Sequence, residues 1–256
     1  MMHDFFKLIN KYFDKVYVIT LERATDRKEH FKKELDGLNY EIFYGMDKQL
    51  FHVEDLKSAN IYSEELAAEH HRYGKPMQAG MIGCAWSHRL VYEDIVKNNY
   101  QSALVLEDDI VIDKSVMSIL PSALSELPST WELVYLGFDL NVKKPFNAPF
   151  KKSVYHFMRF FKRFKFSHKT IKHLYPEKIT EHIYSSGYHD CTHAYGITLS
   201  GAQKLIKLQT PISYIADNLL AHAATNEIIS AFIIHPRIIY QQYQLTTETT
   251  YSYLNG

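Results

Sequence analysis

The stretch Ala103-Leu104-Val105-Leu106-Glu107-Asp108-Asp109 decides how this chain reads. Four apolar residues in a row, with no polar alternation, are what a strand covered on both faces requires. Three acids follow with no spacer. Like charges repel, and a desolvated carboxylate costs several kcal/mol unless it is paired, so the triplet must meet water or a cation. A solvated acidic turn would account for a bare Glu-Asp-Asp. The strand in front shifts the balance, because it fixes the acids at the carboxyl edge of a sheet, where open α/β folds bind ligands. Oxygen donors with open positions suit Mg²⁺ or Mn²⁺ shared with a diphosphate. Asp109 is the expected direct metal ligand, with Glu107 and Asp108 holding a ribose or completing the metal shell.

Outward from this strand the pattern alternates. Val16-Tyr17-Val18-Ile19 and Ile42-Phe43-Tyr44 read as strands before it, and Leu133-Val134-Tyr135-Leu136 as one after it, ended by Gly137. Asp26 with Glu29 matches a capping box for a helix after the first strand. Over residues 78–97 apolar positions recur at helical spacing, with Asn98-Asn99 as a stop. Residues 193–199 resemble a further strand, and Ser200 with Gln203 a capping box for a helix over 202–208. Residues 217–225 read as another helix, and the apolar run 228–234 is closed by Pro236. Strands alternating with helices predict an α/β fold: a mostly parallel, Rossmann-like sheet flanked by helices. With no internal repeat and no low-complexity linker, residues 1–256 read as one domain.

Residues 143–178 break the pattern. They hold 11 Lys or Arg and one acid, Glu177, in a chain whose 29 basic and 29 acidic residues balance. Aromatics are interleaved: Tyr155, Phe157, Phe160, Phe161, Phe164 and Phe166. The segment reads as a basic aromatic insertion or lid. Alternating Phe with Lys and Arg also suits the interface of an anionic membrane, which makes such a surface a candidate partner. The neutral balance points to no nucleic-acid partner. Apolar residues at 46% and charged residues at 23% are ordinary for a globular protein. No window approaches a membrane span, and the first 13 residues, with Asp4, Lys7 and Lys11, lack the pattern of a secretory signal. A cytoplasmic location is expected, with peripheral attachment to the inner face of the cytoplasmic membrane through 143–178. Cys84 and Cys191 form no disulfide framework.

Other residues carry two readings each. Arg23 and Arg27, just past the first strand, suit phosphate or a nucleobase; a solvated helix start beside Lys28, Lys32 and Lys33 is the equal alternative. His88, taken alone, is a satisfied core histidine that orients the acidic loop. His189, Cys191 and His193 would share one strand face, but their spacing matches no common zinc pattern and an edge strand explains them better. Asp217 opens a helix, either as its cap or as a carboxylate presented into the cleft.

Taken together, four stretches resemble glycosyltransferase family 25, which includes bacterial lipooligosaccharide galactosyltransferases and relatives of the collagen galactosyltransferases. They are Val16-Tyr17-Val18-Ile19-Thr20-Leu21-Glu22-Arg23 with Asp26-Arg27; Gly83-Cys84-Ala85-Trp86-Ser87-His88; the acidic stretch 103–109; and Ala194-Tyr195-Gly196 with Gly201-Ala202-Gln203-Lys204-Leu205 and then Asp217. The resemblance implies a GT-A type fold, an inverting mechanism and a UDP-galactose-like donor. It implies donor contacts from Thr20, Leu21, Arg23, Arg27, Ser87, His88, Glu107 and Asp108, a metal on Asp109 and Glu107, and a base at Asp217 with Asp190 behind it. The acceptor would be a glycan or glycolipid of lipopolysaccharide or lipooligosaccharide biosynthesis. The chain departs from the family in Thr20, where Asn is common, in a Thr-rich 246–250 where Ser-Asp-Ile is usual, and in the basic insertion. A nucleotidyltransferase is the competing enzyme class, but residues 21–28 contain no glycine for a triphosphate loop. A non-catalytic membrane-surface or carbohydrate-binding protein gives no reason for the acidic triplet.

Overall fold

The computed structural model describes residues 2–161 and 165–245; the Thr-rich stretch 246–250 and Lys162, Arg163 and Phe164 of the insertion lie outside them. The helices are α1 (Met2–Tyr12), α2 (Thr25–Glu34), α3 (Val53–Ser58), α4 (Glu64–His70), α5 (Ala79–Asn98), α6 (Leu120–Glu126), α7 (Ala148–Phe160), α8 (His168–Lys172), α9 (Leu199–Leu208), α10 (Ala216–Thr225) and α11 (Gln242–Leu245). The strands are β1 (Lys15–Thr20), β2 (Glu41–Tyr44), β3 (Ser102–Glu107), β4 (Ile110–Ile112), β5 (Leu133–Asp139), β6 (Glu177–Lys178), β7 (Ile183–Ser185), β8 (Asp190–Thr198), β9 (Ala231–Ile234) and β10 (Ile239–Gln241).

Eight strands form one sheet in the order β2-β1-β3-β8-β5-β9-β7-β6, and β10 pairs with β4 beside it. β1 is parallel to β2 and β3, and β5 to β9. β8 runs antiparallel between β3 and β5, and β7 between β9 and β6. Six of the eight strands therefore point one way, giving the mostly parallel α/β sheet flanked by helices that the sequence predicts. This direction brings the carboxyl ends of β1, β2, β3 and β5 to one edge, together with the start of β8.

The apolar runs lack alternation because the sheet is covered on both faces. Val16 and Val18, Leu104 and Leu106, and Val134 and Leu136 turn to a core with Phe6 and Ile9 of α1, Phe31 of α2 and Leu120 of α6. Tyr17, Ala103, Val105, Leu133 and Tyr135 turn the other way, against Val91, Tyr92 and Ile95 of α5, Leu205 of α9 and Leu220 of α10. Each large side chain so buried stabilises the fold by about 1.5–3 kcal/mol. A one-residue slip would exchange the two faces of every strand, so register is firmly set.

The local punctuation differs from the sequence reading in several places. Asp26 falls inside the first turn of α2, whose cap residue is Ala24 with no side-chain bond. α9 starts at Leu199 rather than after Ser200, because the Thr198 hydroxyl accepts the Gly201 N–H at 3.2 Å. Asn99 does stop α5, in the left-handed region at φ 56°. Gly137 does not end β5. The strand passes through it with shifted register, and a Cβ there would lie 2.2 Å from His193 Nε2 and 2.5 Å from the Ile239 carbonyl, so this is a bulge that only glycine permits. β8 is not an edge strand but lies inside the sheet between β3 and β5. The insertion, which shows no core pattern in sequence, forms α7 and α8 over a small core of Ala148, Leu174, Tyr175, Tyr188 and Ala221.

Candidate active site

A cavity of about 510 Å³ opens at the carboxyl edge of the sheet, within the roughly 300–1,000 Å³ range of small-molecule sites. β1 ends into it with Thr20 and Leu21, followed by Arg23 and by Arg27 of α2. α5 contributes Ser87 and His88, β3 delivers Glu107-Asp108-Asp109, and α10 adds Asp217. The candidate residues separated by nearly 200 positions in sequence thus meet at one place. Asp190 is the exception: it is not among the lining residues and lies behind Asp217.

Each acid of the triplet is held differently. Asp108 accepts from Thr20 Oγ1 and from Arg27 Nη1, both at 2.7 Å. Burial pushes its carboxyl up, and Arg27 and Thr20 only partly offset that. Burial also works to raise Glu107, but His88 and Thr192 hold it below the usual carboxylate range. The Thr192 hydroxyl and His88 Nε2, at 3.4 Å, both meet Glu107 Oε1. A carboxylate can only accept, so His88 Nε2 carries a proton towards Glu107, while Nδ1 lies 2.8 Å from Tyr195 Oη. Tyr195 in turn contacts Tyr92 Oη at 2.9 Å. His88 thus stands between a tyrosine hydroxyl and the Glu107 carboxylate.

Asp109 is left short of positive charge. Gln241 Nε2 reaches its oxygens at 3.2 and 3.4 Å, and Arg27 Nη1 stands 3.6 Å away. Burial, then the neighbouring Glu107, push its carboxyl up to about 7. Two buried acids and the half-buried Glu107 face one guanidinium, and the missing positive charge falls on an oxygen donor set open to the cavity. These residues fit a divalent cation such as Mg²⁺ or Mn²⁺. Cys84, His88 and Glu107 also bring ligand atoms within 4.8 Å of one another, but burial drives the Cys84 thiol well above its usual value and His88 is already engaged.

On the other side of β8, burial raises the Asp217 carboxyl to about 6, with the charge of Asp190 adding to the effect and the backbone N–H groups of Cys191 and Asn218 opposing it. Asp217 lies within the first turn of α10 and is not its cap residue, which is Ile215. Burial also raises Asp190, against which Arg72 Nη2 sits at 3.3 Å.

Ser87 lines the cavity, yet its hydroxyl is spent on the Gly83 carbonyl at 2.7 Å and the Met46 N–H at 2.8 Å, pinning the loop after β2 to α5. Arg23 is held by Asp47. His189 and His193 are fully buried and bonded to the carbonyls of Leu140 and Ile239, whereas Cys191 faces the cavity; the trio forms no metal grouping among the described residues. Thr192, Gln241, Asp47 and Arg72 were not legible as site residues. None belongs to a motif, and Gln241 reaches the triplet only because β10 pairs with β4 immediately after it.

The family model for glycosyltransferase family 25 (LPS biosynthesis protein) matches residues 13–220. A glycosyltransferase 25 family member of Anopheles gambiae is 30% identical over 77% of this chain and 29% of its own length. Procollagen galactosyltransferase 1 of Danio rerio is 26% identical over the same shares. Procollagen galactosyltransferase 2 of Homo sapiens is 28% identical over 53% of this chain and 22% of its own. The chain thus spans about a quarter of the length of these relatives. Among solved structures, the galactosyltransferase LgtC with donor and acceptor sugar analogues overlaps 89% of this chain and 86% of its own at 11% identity, with a TM-score of 0.31, too weak a likeness for residue-level comparison. With the family match covering most of the chain and its four motifs converging on one cavity, the chain belongs to glycosyltransferase family 25.

Proposed function

We propose that this chain is a GT-A type, metal-dependent, inverting hexosyltransferase. It moves a hexose, galactose first among the candidates, from a UDP-sugar to a glycan or glycolipid acceptor of lipopolysaccharide or lipooligosaccharide biosynthesis. The observation that carries the reading is the shared cavity: an under-neutralised carboxylate triplet beside Arg27, and a separate buried carboxylate, Asp217, shifted towards neutral pH. A divalent ion held by Asp109 and Glu107 would supply Lewis-acid stabilisation of charge on a departing diphosphate, an effect worth several kcal/mol. Arg27 presents its guanidinium to the same phosphates while donating to Asp108, which Thr20 holds in place. Glu107, oriented by His88 and Thr192, keeps the acidic loop fixed as the donor binds. Asp217 removes the proton from the acceptor hydroxyl. A carboxyl titrating at about 6 is ionised at neutral pH yet basic enough to share a proton.

Melting curves with nucleotides and nucleotide sugars, each with and without Mn²⁺, test this directly, since a ligand stabilises by RT ln(1 + [L]/Kd). UDP-sugars should raise the melting temperature only with the metal present, and the loaded protein should release UDP slowly without an acceptor. A shift from nucleoside triphosphates alone would favour a nucleotidyltransferase, and no nucleotide response would leave a non-catalytic carbohydrate-binding protein.

A further inference from the structure

α7 is amphipathic with its apolar side turned outward. Ala148 is buried and Tyr155 half-buried on the face that packs over Tyr175 and Tyr188. Lys152 is on that docked side too, donating to the Lys172 carbonyl beneath the helix and lying over the Tyr175 ring. The opposite face carries Phe150, Val154, Phe157 and Phe161, spaced four, three and four residues apart, which is one stripe of a helix. Phe150 is 70% exposed and Phe157 66%, and Phe146 and Phe160 extend the patch at its two ends, fully or mostly open to solvent. The rings of Phe157, Phe160 and Phe161 form an exposed cluster, with centroids 4.8 and 5.3 Å apart. Large aromatics scattered singly are ordinary on a protein surface, but a contiguous helical stripe of them marks a contact.

Charge says what covers it. Lys143, Lys144 and Lys151, next to the stripe in sequence, are exposed, and residues 143–178 hold 11 basic groups against one acid, Glu177, which Lys144 meets at 3.4 Å. A second copy packed stripe against stripe would bring like charges together. An anionic surface would not, and a helix with aromatics on one face and Lys or Arg beside them lies flat at a lipid interface. Among the described residues no helix is long and apolar enough to cross a membrane, so the contact would be peripheral.

We infer that the outward face of α7 is a docking surface for an anionic lipid bilayer, with Phe150, Phe157, Phe160 and Phe161 entering the interface and the flanking lysines meeting lipid phosphates. The core beneath the helix continues to the cavity: Phe166 packs on Tyr188 at 4.6 Å, Tyr188 donates to Asn218 next to Asp217, and the Arg72 that holds Asp190 lies over the Tyr188 ring. The docked face therefore adjoins the Asp190–Asp217 end of the site rather than the triplet.

Vesicle co-sedimentation tests the docking without any sugar, so its outcome is separable from the transferase reading. The whole chain should bind phosphatidylcholine vesicles that contain phosphatidylglycerol, not those that lack it, and binding should weaken with salt. Phe150→Ser with Phe157→Ser should lower the partition coefficient at least tenfold with an unchanged melting temperature, since both rings are exposed. Lys143→Ser, Lys144→Ser and Lys151→Ser should each cost about fivefold at low ionic strength. Lys32→Ser with Lys33→Ser, on exposed positions of α2, should change nothing. Equal recovery with neutral and anionic vesicles, an equal loss in the α2 variant, or a concentration-dependent dimer abolished by the Phe substitutions would each overturn the inference.

Discussion

Two groups of carboxylates meet at one cavity, the triplet and Asp217 lining it and Asp190 standing outside the lining, and they are surrounded differently. The triplet after β3 is ringed by donors: Thr20 and Arg27 on Asp108, His88 and Thr192 on Glu107, and Gln241 on Glu107 and Asp109. The second pair has Arg72 on Asp190 and two backbone N–H groups on Asp217. In the first group His88 and Thr192 fix negative charge on Glu107, whereas burial raises both Asp108 and Asp109, most of all Asp109, where positive charge is lacking. The second leaves a carboxyl that can gain and lose a proton near neutral pH. The two groups thus differ in the kind of donor rather than the number: a guanidinium and an imidazole face the triplet, while Asp217 meets backbone N–H groups alone.

The strongest way to break that contrast is at Asp109. Asp109→Ala should lower transfer about 10⁴-fold, the rate equivalent of several kcal/mol of metal-assisted stabilisation. Its melting temperature should hold or rise, because an acid pushed up to about 7 by burial opposes folding while it is ionised. Excess EDTA should silence the wild type to the same degree and added Mn²⁺ should restore it. Full activity in EDTA would sink the metal assignment and leave the triplet as a structural acidic loop.

Asp217 sharpens the other half. Asp217→Asn should cost roughly 10³-fold in kcat, inside the range of a positioned general base, with donor KM little changed. The wild-type rate should fall as pH drops through about 6, where Asp217 takes up a proton, and that limb should vanish in the variant. The stability effect has the opposite sign. A carboxyl whose folded pKa lies above its ordinary value stabilises the native state at low pH, and that contribution is lost as pH rises from about 4 to about 6. Asp217→Asn should therefore melt higher than wild type at pH 7. If the acid limb survives in the variant, Asp190 becomes the base to test.

How much of this was legible in the sequence follows from where the information lies. β1, β3 and β8 are buried on both faces, and a short continuous apolar run is the direct imprint of that burial. The triplet was legible because three charges next to such a run demand a reason. The capping boxes at Asp26 and Ser200 differ from the observed caps because such a box fits several frames one or two residues apart. Packing of Phe31 on the sheet and the Thr198 hydroxyl chose between them. Gly137 read as a terminator because a strand glycine marks an end or a bulge equally well, and His193 on the next strand decides. Partners such as Gln241, 132 residues from Asp109, carry no local signal at all. Nor could sequence tell which side of α7 faces outward, since both sides hold aromatics and lysines; the small core at Tyr175 and Tyr188 selects the docked one.

Arg27 offers the smallest and most discriminating effect, because it belongs to the triplet's neutralising shell and to the donor's expected path at once. From sequence, Arg27→Ala should raise donor KM well beyond any change in melting temperature. The structure revises that expectation. Truncation would leave Asp108, whose side chain is 8% exposed, with only the Thr20 hydroxyl against it, and breaking a buried pair costs about 3 kcal/mol or more. The variant should thus melt several degrees lower while donor KM rises about tenfold. Mn²⁺ then separates the two roles. A divalent ion on Asp109 supplies positive charge to the same three acids, so it should recover a large part of the lost melting temperature but little of the KM, since the phosphates would still lack the guanidinium. Arg27→Lys should keep most of the stability and recover KM only in part, because a point charge replaces a planar fork. A variant matching wild type in both melting temperature and KM would return Arg27 to the solvated start of α2 and erase the distinction between the two carboxylate groups.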